Sequence, residues 1–140
     1  MLRAELLVIV GMLLLANMAA GQTSNAPTPE RLVQQQIDAW NRHDAEAFAA
    51  PYSDTTRLYV FPDKLTQRFK SRQELQQYYA QFFAKNPGVH CEVISQLSVG
   101  NTVVLAEKVT GRSDGRVVNS IVTYKIEAGK IARVYFDYRP

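Results

Sequence analysis

The chain has 140 residues, 46% hydrophobic and 21% charged, with 16 basic and 13 acidic side chains and a net charge of +3. That balance suits one globular domain with a substantial core and excludes a low-complexity or disordered chain. Lys and Arg are scattered rather than gathered into a basic stripe, which argues against nucleic-acid binding, and the single cysteine, Cys91, excludes an internal disulfide.

The first 21 residues read as a secretory signal peptide. Arg3 precedes the apolar run Leu6–Ala16, and the small residues Ala19-Ala20-Gly21 follow, so cleavage is expected near Ala20 or Gly21. The run is short of the ~20 apolar residues that cross a bilayer. The expectation is therefore a secreted or periplasmic product with no membrane attachment after cleavage. Residues 22–27 form a polar linker, and the domain occupies residues 28–140.

Thr28-Pro29-Glu30 combines an N-cap, a proline at the first helical position and an acid in the first turn, which predicts a helix over 29–42. Leu32, Val33, Gln36, Ile37 and Trp40 recur at helical spacing, so one face is buried and Gln36 is its polar member. Asp44 can cap a short second helix over 45–50, ended by Pro51, with Phe48 and Tyr52 as inward anchors. His43, in the connection, reads as a surface residue. A strand is expected over 57–61, with 65–69 as its partner. Ser71-Arg72-Gln73-Glu74 is a capping box for a helix carrying Leu75, Tyr78, Tyr79, Phe82 and Phe83, which stops at Asn86-Pro87-Gly88.

From Val89 the pattern becomes strand-like. Runs over 89–99, 102–111, 116–126 and 131–138 are separated by Gly-containing turns, a four-stranded antiparallel meander. Helices first and strands later predict an α+β domain: a cone-shaped, strongly bent antiparallel sheet wrapped around N-terminal helices.

Ala39-Trp40-Asn41-Arg42-His43-Asp44, the Phe61-Pro62 strand end, the capped helix from Ser71, the Val99-Gly100-Asn101 turn with Glu107 downstream, and Gly129-Lys130-Ile131 before Val134-Tyr135-Phe136 resemble the SnoaL-like branch of the nuclear transport factor 2-like superfamily. The resemblance implies a cone with a pocket at one end and, often, a homodimer through the outer sheet face. It implies no single activity, because the fold hosts isomerases, cyclases, epoxide hydrolases and binding domains. The positions matching the ketosteroid isomerase machinery are Gln36, Phe61 and Val122, none of which carries a carboxylate. Those matching the epoxide hydrolase machinery are Lys108, Thr110, Phe136, Leu58 and Val60, and both carboxylates are missing. Asp137 sits beside Phe136 but on the opposite face of the strand.

Strand alternation turns Ser120, Val122, Tyr124, Ala132, Val134, Phe136 and Tyr138 inward. With Trp40, Tyr52, Tyr59, Phe61, Tyr79 and Phe83 they define an aromatic pocket suited to a small apolar or aromatic molecule. The titratable candidates are His90, Lys108 and Glu107, with His90 the first suspect for an acid/base role. Glu107 and Lys108 point to opposite faces, so only one can serve the pocket. Two histidines and one cysteine offer no metal-ligand spacing, and no cofactor motif is present. Three readings follow: a small-molecule binding domain, an isomerase- or cyclase-like enzyme with a non-standard acid/base, or a dimeric interaction module using the outer face near Arg133, Tyr135 and Asp137.

Overall fold

The computed structural model describes residues 25–138, so the leader expected over residues 1–21 lies outside the described residues. Helix α1 spans Pro29–Asn41, and the Thr28 hydroxyl accepts from the Arg31 N–H at 3.3 Å. Its proline occupies a position whose N–H would have no helical acceptor in any case. Helix α2, Ala45–Ala49, is capped by the Asp44 carboxylate, which accepts from the Ala47 N–H at 3.0 Å. The two are joined at His43, whose φ of +56° makes the reversal. Helix α3, Arg72–Lys85, starts with the Ser71 hydroxyl accepting from the Glu74 N–H at 3.1 Å. The Glu74 carboxylate reaches one residue past the cap and accepts from the Lys70 N–H at 2.6 Å.

Six strands follow the order β2-β1-β6-β5-β4-β3 in a single sheet. They are β1 Tyr52–Val60, β2 Lys64–Arg68, β3 His90–Val99, β4 Thr102–Thr110, β5 Val118–Glu127 and β6 Lys130–Tyr138. β3 to β6 form the expected antiparallel meander. β1 starts earlier than residue 57 and pairs parallel with β6, so the sheet is mixed rather than wholly antiparallel. The cause is topological: the chain leaving α2 enters the sheet beside the start of β6, where the Ile131 N–H donates to the Pro51 carbonyl at 2.9 Å. Periodicity within a strand carries no information about its neighbour.

The sheet is strongly curved but does not close, and it wraps the helices on its inner face. Bulges near Val93, Lys125 and Leu58 break the register and bend the strands. One bulge corrects the expected inward set: Ile131 is fully buried, and Ala132 turns to an outer groove beside Thr55 and Arg57. The core joins Phe48, Leu75, Tyr79 and Phe83 from the helices to Val103, Leu105, Val122 and Val134 from the sheet. Burying each of the larger side chains contributes about 1.5–3 kcal/mol.

Candidate functional site

Where α1 and α3 diverge from the curved sheet, the packing leaves a cavity of about 150 Å³. Trp40 and Gln36 come from α1, Phe48 from α2, Tyr52 from β1, and Tyr79 and Phe82 from α3. The sheet contributes Cys91, Glu107, Ser120, Tyr124 and Phe136, with Arg112 and Tyr138 also on the wall. Aromatic packing makes the helical wall stiff. Trp40 meets Phe82 at 5.2 Å and Phe83 at 5.3 Å between ring centroids, and Phe48 meets Tyr79 at 4.3 Å. Such close offset and edge contacts add to what area burial alone contributes.

The motif Trp40-Asn41-Arg42-His43-Asp44 explains how that wall is held. Trp40 lines the cavity. The Asn41 amide makes a two-way bond with Cys91, donating to its carbonyl at 2.9 Å and accepting from its N–H at 2.8 Å. His43 donates from Nε2 to the Val89 carbonyl at 2.7 Å and stacks on Phe83. Together they fasten the end of α1 to the start of β3, so His43 has a structural task.

One chain of polar groups crosses the apolar interior. The Tyr52 hydroxyl donates to Gln36 Oε1 at 3.3 Å, Gln36 Nε2 donates to the Tyr124 hydroxyl at 3.0 Å, and that hydroxyl donates to Glu107 Oε1 at 2.8 Å. Every donor in the chain points toward the carboxyl, an arrangement of mutually polarised bonds. Glu107 is only 7% exposed. Burial pushes its pKa up to about 7, against the opposing pull of its Tyr124 and Cys91 neighbours. Burial likewise holds the Tyr124 and Tyr52 hydroxyls well above the ordinary tyrosine value and pushes the Cys91 thiol up to about 12, so the thiol stays protonated and inert. Trp40 adds a further polar group: its indole Nε1–H is buried with no acceptor among the described residues, a state that costs about 1–3 kcal/mol unless a ligand or water accepts from it.

The structure places Trp40, Tyr52, Tyr79, Tyr124 and Phe136 around this cavity, and it corrects the expected wall at five positions. Phe61 is 61% exposed at the end of β1. Tyr59 stands on the outer face, stacked on Tyr135 at 4.7 Å. Phe83 belongs to the core behind the wall. His90 is exposed at the start of β3, opposite Thr110. Lys108 pairs with Glu92 and Asn119 on the outer face, which leaves Glu107 as the inward member of that pair. Phe82, Cys91 and Ser120 also line the cavity; alternation had turned Ser120 inward, whereas nothing short of the α3 packing distinguishes Phe82 from Phe83. Among the described residues no group of three or more His, Cys, Asp and Glu side chains could hold a metal, and no helix is long and apolar enough to cross a membrane.

Residues 33–134 match the family model of the SnoaL-like domain. No curated protein matches the chain. Among solved structures, it resembles an uncharacterized cystatin-fold protein from Novosphingobium aromaticivorans with a TM-score of 0.70 and 22% identity, over 79% of this chain and 97% of that one. It also resembles a candidate ketosteroid isomerase from Kribbella flavida at a TM-score of 0.63 and 18% identity, covering 80% and 78% of the two chains. A candidate SnoaL-like polyketide cyclase from Jannaschia gives a TM-score of 0.63 and 14% identity over 79% and 84%. At these identities the likeness establishes the fold.

Proposed function

The chain belongs to the SnoaL-like domain family, and from that membership we propose that it binds a small apolar or aromatic molecule, specifically one ring bearing a carbonyl or hydroxyl group. The observation that carries this reading is an aromatic cavity of about 150 Å³ with a single titratable carboxyl, Glu107, in its wall. An apolar cavity of roughly this volume accepts a benzene-sized ring. The buried Trp40 N–H, and the Glu107 carboxyl in its protonated form, are donors that would orient a ligand oxygen, and the rings around them exclude water.

Trp40 is the only tryptophan in the chain, so its emission reports on the cavity. Titration with single-ring phenols and aryl ketones is expected to quench or shift that emission and to raise the melting temperature. A flat emission trace together with an unchanged melting temperature across the panel would sink the reading.

Glu107 also favours a second reading, a cyclase- or isomerase-like enzyme, with Glu107 in the acid/base role that sequence reasoning assigned to His90. A carboxyl poised near neutrality can remove a proton adjacent to a ligand carbonyl and return it elsewhere, while Trp40 Nε1–H supports the oxygen that gains charge. Neighbours of this fold named for cyclase and isomerase chemistry make such activity worth assaying. The polar chain ending on Glu107 would then set its basicity through Tyr124.

A further inference from the structure

Four cations far apart in sequence come together on the outer face of the sheet. Arg57 pairs with Arg68 on one side and Arg133 on the other, and Arg133 pairs with Lys125. They form one row across β2, β1, β6 and β5, about 14 Å long at ~4.8 Å between strands. Glu127 pairs with Arg133, and Lys125 donates to the Thr102 hydroxyl at 2.9 Å. Among the described residues Arg57 and Arg68 have no acidic partner, and both are exposed. Like charges placed directly opposite one another destabilise a sheet, so this row works against the stability of the fold that carries it.

A second row lies beside the first, two residues along β1, β6 and β5 and three along β2, where a bulge intervenes, and hence about 6.7 Å away. Leu65 pairs with Tyr59, Tyr59 with Tyr135, and Tyr135 with Thr123. Leu65 is 44% exposed. The two tyrosines stack on each other, 11° from parallel. They are therefore turned toward one another and toward their neighbours in the row, and they offer edges and hydroxyls to a partner rather than a flat platform on which a nucleobase could stack.

We propose that this half of the outer face docks an acidic amphipathic helix of a partner protein, laid across the strands with its carboxylates over the cation row and its apolar stripe over Leu65, Tyr59 and Tyr135. Charge complementarity selects the acidic partner. Geometry selects the helix, since it presents two neighbouring lines of side chains on one side, whereas a strand laid along the rows would turn alternate side chains away. A second copy of the same face would bring four cations of its own.

The test is fluorescence anisotropy on the full chain with a labelled alanine-based helical peptide that carries a Glu stripe beside a Leu stripe. Binding is expected in low salt and should weaken markedly at about 1 M salt, where the screening length falls to ~3 Å. Arg57→Glu with Arg68→Glu should cost about tenfold or more in affinity while the melting temperature holds or rises, because positions 57 and 68 still repel with the sign reversed and position 57 now attracts Arg133. Tyr59→Ser with wild-type cations should also weaken the peptide. Peptide affinity unchanged in the double reversal overturns the proposal. So does tighter binding of a single-stranded oligonucleotide than of the peptide, which would assign the face to nucleic acid, and so does a change of oligomeric mass in the double reversal, which would assign it to a second copy.

Discussion

Glu107 decides most of the chemistry at the scale of single residues. Its pKa is raised to about 7 from an ordinary carboxylate value of 4.5, so the folded state holds a proton that the unfolded state releases. The stabilisation is complete below the unfolded value and is lost as pH rises through the folded one, so between about pH 4.5 and 7 stability falls by roughly 3 kcal/mol. Glu107→Gln keeps an acceptor for Tyr124 and removes the titration. Denaturant titrations from pH 4 to 8 should show that slope in the wild type and a flatter profile in the variant, with the variant the more stable at pH 8 by about 2–4 kcal/mol. A wild-type profile already flat over this range would mean that the carboxyl is hydrated and not part of a dry site. The alternation rule had paired Glu107 and Lys108 on opposite faces; β4 alternates without a break, so Glu107 shares a face with the buried Val103 and Leu105, but only the packing of that face makes it the inner one.

Among the elements, the join between α3 and β3 is set by a backbone contact. Gly111, at the end of β4, has φ +72°, and a Cβ built there would fall 1.8 Å from the Gly88 carbonyl oxygen. No flexible side chain can yield, because the opposing atom is main chain. Gly111→Ala should therefore cost at least about 2 kcal/mol, read as a lower midpoint in chemical denaturation at unchanged slope. A midpoint within error of wild type would show that the loop after β4 relaxes freely. The caps at Thr28, Asp44 and Ser71 were legible because capping is local chemistry, settled within four residues. Stripe positions on α3 were legible as a helix but not as a wall: Tyr79, Phe82 and Phe83 share one periodic face and all pack on Trp40, and only the position of the cavity divides its lining from the core.

At the scale of the whole molecule the outer face is divided. Leu97 and Val99, 65% and 71% exposed, lie at the β3 edge, whereas the cation row occupies the β2–β6 side. A homodimer through that apolar edge, and export directed by the leader expected over residues 1–21, are tested together. Native mass spectrometry of protein recovered from an exporting host should show a chain beginning near Gly21 or Gln22 at twice its monomer mass. A monomer in the wild type, at concentrations where Leu97→Lys is also a monomer, would remove the dimer. The sequence by itself determined the helices, their caps, the meander, the family resemblance and the aromatic character of the interior, since each rests on short-range periodicity or residue type. Only the tertiary structure decided the parallel β1–β6 pairing, the inward turn of Glu107, the chain from Tyr52 to Glu107, and the row Arg68, Arg57, Arg133 and Lys125. Those cations look scattered in the sequence because strand order, and not chain order, sets which side chains become neighbours.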